Sequence, residues 1–288
     1  MNYGLVTEGE DDNMSDFYFY EDEIINCNHV LDERPNPSVF TMHNHMRYEI
    51  YYFISGKGHF YIEGSEYPLH RGDLLIMRDT EAHYISLDKD MPYERLAMHF
   101  NPEFIRAFDA SGALLTAFEK RESGKANLFR RTDFQNDTYI RLLENMLNTE
   151  EENRGLQLKA NLIALLNEIR IAYERGEEHP GLGKETMAFS IISYINVHLF
   201  ESLSLDEICS LFFISKAQLC RIFKKTTGTT VWGYITAKRL MAAQSMLAGG
   251  APATEVYSRC GFNDYSVFFR AYRKQFGCTP GSVRAENR

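Results

Sequence analysis

Two sets of residues in this chain have types and spacings that suit them to chemistry. The first is His43-Asn44-His45-Met46-Arg47-Tyr48-Glu49, followed by Gly56, Gly72 and His83. Three imidazoles and one carboxylate make a sound ligand set for a divalent metal such as Zn, Ni, Mn or Fe. The same four residues equally suit a polar pocket lining, or a satisfied hydrogen-bond cluster inside a fold. His43 and His45, two apart, share a face of any strand that carries them. His99, in Leu96-Ala97-Met98-His99-Phe100, is expected to be structural. The second set is basic and occurs twice. Arg221-Ile222-Phe223-Lys224-Lys225-Thr226-Thr227-Gly228-Thr229-Thr230 returns 49 positions later as Arg270-Ala271-Tyr272-Arg273-Lys274-Gln275-Phe276-Gly277-Cys278-Thr279. Arginine is the side chain best suited to bidentate contact with guanine, so Arg221 and Arg270 are expected to read bases. Lys224, Lys225, Arg273 and Lys274 lie a turn further on and suit phosphate. Lys216 adds a cation upstream, and Ile222, Phe223 and their counterparts are expected in the core.

The elements that must position these residues change character along the chain. From about Phe17 to Phe100, short runs rich in aromatic and β-branched residues (Ile50 to Ile54, His59 to Ile62, Asp73 to Met77) alternate with turn signals such as Ser55-Gly56-Lys57-Gly58. Strands at this spacing predict a small antiparallel barrel or sandwich. Beyond Pro102 the apolar spacing becomes helical, over Tyr139 to Leu147 and Leu158 to Tyr173. The leucine-rich second helix has two uses: packing on the strands, or pairing with its copy in another subunit. Residues 176–184 have linker composition, so the domains are read as 1–175 and 185–288.

The net charge of −9 hides a strong asymmetry. From Gly183 to the end there are 13 lysines and arginines against 7 acids, whereas the preceding part is strongly acidic. A basic block joined to an acidic one suits a domain that meets phosphates and another that does something else. The five cysteines form no CxxC pair and read as reduced thiols. With neither a signal-like N-terminus nor an apolar stretch of spanning length, a cytoplasmic protein without membrane contact is expected.

Local signals organise the basic block. A helix from about Glu185 to Leu199 leads to Ser204-Leu205-Asp206-Glu207, an S-x-x-E capping box that starts a second helix running to Phe212. Ser215-Lys216-Ala217-Gln218 opens a third, through Lys225. Two short helices across a tight turn form a helix-turn-helix. In the second copy, Pro252 and Glu255-Val256 stand near the start, and Cys260-Gly261-Phe262-Asn263-Asp264 makes a turn one residue longer with a glycine for the bend. Val231 to Leu247 reads as one long helix between the units. Two recognition helices on one body can enter successive major grooves when they sit about 34 Å apart.

The segment Gly261 to Lys274, followed by Gly277-Cys278-Thr279-Pro280 and Arg284, closely resembles the AraC/XylS family signature. The resemblance covers about Thr186 to Arg284. It implies a transcriptional regulator with base-facing positions at Ala217, Cys220 and Arg221 in the first unit and at Tyr265, Ser266, Phe269 and Arg270 in the second. Ala217 and Cys220 leave the first unit comparatively bare. In the acidic half, H-x-H-x3-E-x6-G and G-x10-H resemble the cupin motifs. The second motif departs from the family at Arg78-Asp79-Thr80, where P-x-G is expected, and at Leu87, where Asn is expected.

The expected architecture is therefore multi-domain α+β: a cupin-like antiparallel β-barrel with two following helices, then an all-α domain with two helix-turn-helix units. The expected function is sequence-specific regulation of transcription, not catalysis. A small-molecule effector, such as a sugar or other polar metabolite, would sit among His43, His45, Glu49 and His83. Double-stranded DNA, a second copy of the chain and RNA polymerase are the expected partners. The rival is a metal-dependent cupin enzyme fused to a DNA-binding module. A scaffold with an empty barrel is a third reading, and it expects no ligand-dependent change in DNA affinity.

Overall fold

The structure, a computed structural model, describes residues 14–36, 47–176 and 186–283. His43 and His45 lie outside the described residues, as do Arg284 and nearly all of the expected linker. The first half contains β1 (Met14–Glu21), β2 (Ile25–Asp32), β3 (Tyr48–Ser55), β4 (Gly58–Ile62), β5 (Ser65–Pro68), β6 (Leu74–Met77), β7 (His83–Leu87), β8 (Tyr93–Phe100) and β9 (Leu128–Phe129). They form two antiparallel sheets, ordered β1-β2-β8-β3-β6-β9 and β5-β4-β7. Of the barrel or sandwich expected from the strand spacing, the antiparallel strand domain is present as two sheets and not a closed barrel: among the described residues no ladder joins them. Gly56, at φ +126°, turns the chain between β3 and β4, so successive strands enter different sheets.

Period-two alternation decides what each face of the large sheet meets. Tyr48, Ile50, Leu74, Ile76, Leu96, Met98 and Phe100 join one apolar cluster with the helices. Tyr51, Phe53, Leu75, Met77, Tyr93 and Ala97 join another with Phe60 and Ile62 of the small sheet. Four helices follow β8 in sequence: α1 (Pro102–Phe108), α2 (Thr116–Glu119), α3 (Thr138–Leu147) and α4 (Arg154–Arg175). The stripe Leu158, Leu162, Leu165, Leu166 and Ile169 of α4 is wholly removed from solvent in the first cluster. Each such side chain contributes roughly 1.5–3 kcal/mol by burial, and none remains to face another subunit. Of the two uses the sequence left open for these leucines, packing on the strands is the one they serve.

The second half is helical: α5 (Met187–Val197), α6 (Leu205–Phe212), α7 (Lys216–Thr227), α8 (Val231–Ala248), α9 (Ala253–Arg259) and α10 (Tyr265–Phe276). It has two cores strung on α8. Val231, Tyr234 and Ile235 of α8 pack with Ile191, Ile192, Ile208, Leu219 and Phe223. Leu240, Ala243 and Leu247 pack with Val256, Cys260, Phe268 and Tyr272. Ala82, from the strand domain, belongs to the first of these cores, so the two domains share packed surface. No helix among the described residues is long and apolar enough to cross a membrane.

Candidate nucleic-acid interface and sensor chamber

The repeat in the sequence becomes a repeat of capped helices. Ser215 Oγ accepts from Gln218 N at 3.2 Å, and Asp264 Oδ1 accepts from Val267 N at 2.8 Å, so each of α7 and α10 starts on a side-chain cap. Each runs 12 residues and ends on a left-handed glycine, Gly228 at φ +67° or Gly277 at φ +70°. The capping box at Ser204 and Glu207 forms in full, at 3.1 and 3.0 Å. Both recognition helices bury a matched pair, Leu219 and Phe223 in α7, Phe268 and Tyr272 in α10.

The opposite faces are open to solvent. Ala217, Cys220, Arg221, Lys224 and Lys225 are exposed on α7, and Tyr265, Ser266, Arg270, Arg273 and Lys274 on α10, with Phe269 half-buried. Spacings of three and four place each set on one side of its helix. Two of the predicted cations are already engaged locally. Lys216 Nζ lies 2.8 Å from Asp206, and Lys224 Nζ donates to Gly228 O at 2.7 Å, capping its own helix. Arg221, Lys225, Arg270, Arg273 and Lys274 take part in no ion pair among the described residues.

In the strand domain, Glu49 and His99 are directly opposed across β3 and β8. His83 reaches them from the facing sheet: Glu49 Oε2 is 3.2 Å from His83 Nε2 and 3.5 Å from His99 Nε2. His99, expected to be structural, pairs with Glu49 because alternation along β8 puts it on the Ala97 face, away from Met98 and the helical core. His83 Nδ1 faces the Glu81 carbonyl at 2.9 Å, so that nitrogen carries a proton and Nε2 is turned to Glu49. Burial opposes charge on His83, but the Glu49 carboxylate and the Glu81 carbonyl more than offset it and hold its pKa above the ordinary value. Tyr51 and Tyr93 join hydroxyls nearby, and Arg95 bonds Asn28. Among the described residues, no group of three or more His, Cys, Asp or Glu is arranged to hold a metal ion. His43 and His45 are outside that statement.

The seam between the domains was not foreseen. Glu63 and Gly64 form the turn of the β4–β5 hairpin, both at positive φ, +48° and +83°. The Glu63 carboxylate enters the helical domain, where Lys238 Nζ and Tyr234 OH each donate to it at 2.8 Å. Asn196 Nδ2 and the backbone N of Ala82 donate to it as well. Gly64 lies so close to α5 that a Cβ would sit 2.8 Å from Ile192 Cδ1 and 2.9 Å from Phe189 Cα. Glu81 supports the adjoining loop, accepting from Arg121 Nη1 at 2.6 Å, Gly124 N at 2.8 Å and Arg78 N at 2.9 Å. Burial alone would raise its pKa; Arg121, Arg78 and the Gly124 amide reverse that and bring it down to about 2. A cleft of about 290 Å³ opens at the seam, lined in part by Asp79, Thr80, Asn196, Phe200, Lys238 and Met241.

Comparison with known proteins gives two family matches in tandem. An AraC-like ligand binding domain matches residues 30–166, and a helix-turn-helix domain matches residues 208–286. The HTH-type transcriptional activator RhaS of Escherichia coli O1:K1 / APEC is 22% identical over 261 residues, covering 90% of this chain and 92% of RhaS. RhaS of Enterobacter sp. (strain 638) is 22% identical over 257 residues, 88% of this chain and 91% of its own length. Among solved structures, ToxT from Vibrio cholerae is 12% identical, with a TM-score of 0.40, over 91% of this chain and 98% of that one.

Proposed function

Because the chain belongs to the AraC/XylS family of transcriptional regulators, we propose that α7 and α10 read two neighbouring segments of double-stranded DNA under the control of a small polar effector. The observation that carries this reading is the cap-to-cap equivalence of the two helices, with Arg221 and Arg270 at the same place on matched open faces. Arg221 and Arg270 read bases, together with Ala217, Cys220, Tyr265, Ser266 and Phe269. Lys225, Arg273 and Lys274 meet phosphates, while Lys216 and Lys224 contribute to the field near the backbone. Selection of bound sequences from random DNA by the purified protein tests this. Recovery of unenriched DNA would overturn it.

The effector site is proposed around Glu49, His83 and His99, with His43 and His45 completing the lining. Imidazoles, a carboxylate and two tyrosine hydroxyls offer donors and acceptors for a hydroxylated ligand such as a sugar. Coupling to DNA has a short path available. His83 pairs with Ile62 across β7 and β4, and Glu63 comes next in the chain. A ligand that moves His83 therefore acts one residue away from the carboxylate that holds Tyr234 and Lys238 of α8. It shifts DNA affinity only by its differential affinity for the two arrangements.

Mass spectrometry of the native protein, followed by His83→Ala, tests the site. Binding that survives His83→Ala but is lost on changing Thr80 or Lys238 would move the effector to the seam cleft. The same experiment reads metal: a stoichiometric Zn, Ni, Mn or Fe with turnover would favour the enzyme reading, with His43, His45, Glu49 and His83 as ligands. We further propose a cytoplasmic homodimer that recruits RNA polymerase. Its subunit contact would use the polar outer faces of α3 and α4, since their apolar faces are spent on the sheet. Sedimentation at increasing concentration tests the dimer.

A further inference from the structure

We propose that Arg239 is a positioning residue that sets the spacing and rotational phase of the two recognition helices, and hence the length of DNA separating the two segments they read. The proposal rests on the DNA reading above and adds what holds its geometry.

Arg239 sits on α8 where one core ends and the other begins: Ile235 belongs to the first, Leu240 to the second. Its guanidinium makes three hydrogen bonds, all to backbone carbonyls of other segments. Nε donates to Leu199 O at 2.7 Å and Nη2 to Glu201 O at 2.7 Å, both in the turn that follows α5 in the first unit. Nη1 donates to Gly261 O at 2.6 Å, in the turn of the second unit, three residues before the Asp264 cap of α10. One planar fork thus spans both units, which lysine with its single ammonium cannot reproduce.

Gly261 is shaped to receive it. Its φ of +78° favours glycine, and an added Cβ would fall 2.8 Å from Arg239 Cζ and 3.0 Å from the carbonyl oxygen of Phe200. At the corresponding bend of the first unit Phe213 takes a φ of +54° with its side chain exposed, so that bend is made without a glycine. The glycine in the second unit is therefore needed for the close approach as well as for the turn. Burial against uncharged carbonyls lowers the Arg239 pKa, yet the guanidinium keeps its charge, as arginine does in proteins.

The mechanical consequence follows from helix geometry. α8 is a rod, and its covalent continuity fixes the distance between the units along its axis. Rotation of the second unit about that axis, or its tilting away from α5, requires breaking the Arg239 bond to Gly261. Without the fork, each unit keeps its core on α8, but the direct link between the turn after α5 and the turn before α10 is lost, so the aspect of α10 to α7 rests on α8 alone.

The test uses the full chain and DNA sites selected in vitro by the wild-type protein. Affinity is measured for the selected site and for the same site with one base pair inserted between the two contacted segments. Wild type is expected to lose about ten- to a hundredfold on insertion, the cost of misplacing one reader. Arg239→Ala is expected to bind the unaltered site roughly tenfold more weakly and to lose no more than about threefold on insertion. Arg239→Lys should fall with Ala. Gly261→Ala, which displaces the guanidinium from the other side, should show the same tolerance and serves if Arg239→Ala fails to fold. Retention of the full wild-type insertion penalty by either folded variant overturns the proposal, whatever happens to affinity. A wild-type protein that enriches no site overturns the DNA reading instead, and this proposal with it.

Discussion

Glu63 and Lys238 meet at 2.8 Å across the boundary between the strand domain and the helical domain, with side-chain exposures of 2% and 12%. A charge so placed costs too much to bury without a partner, and Tyr234, Asn196 and the Ala82 amide complete its hydrogen bonding. The pair joins the β4–β5 hairpin, next to the candidate effector site, to α8, on which both helix-turn-helix units pack. Removing one partner, as in Glu63→Ala, should lower stability by about 3–5 kcal/mol, because the largely buried Lys238 ammonium loses its counter-charge and keeps only the Thr80 carbonyl. Urea denaturation checks this, and a loss under about 1 kcal/mol would mean that the pair behaves as a surface contact. The double variant Glu63→Gln with Lys238→Met should recover much of the stability while losing any effector-dependent change in DNA affinity.

Arg270→Ala should weaken DNA binding by roughly 1–3 kcal/mol and relax selectivity at one base position. Titration against single-base variants of a selected site reads both quantities. Uniform weakening across all the variants would move Arg270 to the phosphate group.

Lys225→Ala should instead weaken all sequences alike and reduce the slope of log affinity against log salt by about one. An unchanged slope rules out a phosphate contact.

The Glu81 carboxyl gives a pH signature. Its folded pKa is held at about 2, against an ordinary value of 4.5, by Arg121 and its other donors. A depressed carboxylate contributes stability above its unfolded pKa and loses it as pH falls toward the folded one. The contribution, on the order of 3 kcal/mol at neutral pH, should therefore disappear between about pH 4.5 and pH 2. The stability gap between wild type and Glu81→Gln, measured by denaturant titration at several pH values, should narrow over that window. A gap independent of pH would show that the pair adds nothing electrostatic.

Leu162→Ala should cost about 2–5 kcal/mol, as expected for a wholly buried leucine, and leave the association state unchanged. Dissociation of a dimer with stability intact would return this helix face to a subunit interface.

Local relations were legible without a fold. Capping links residues three apart, so Ser204 and Ser215 announce their helices in the sequence, whereas the Asp264 cap was seen only in the structure. The 49-residue repeat transfers each boundary from α7 to α10, and alternation separates the strand region from the helical one. Because capping and alternation rest on near neighbours, and the repeat on comparing the chain with itself, the sequence alone was enough to indicate two matched helix-turn-helix units behind a strand-rich domain.

Tertiary structure decided what meets across distance. The Glu63–Lys238 contact joins residues 175 apart, the Glu81–Arg121 contact 40 apart and the Arg239–Gly261 contact 22 apart. No periodicity marks such partners, since each is set by how packed layers bring remote segments together. Packing also closed the choice for the leucines of α4, which the helical pattern left open, and split the expected barrel into two sheets. His99 lay between the two kinds of knowledge: alternation along β8 already pointed its side chain away from Met98, but only the register of β8 against β3 put it opposite Glu49.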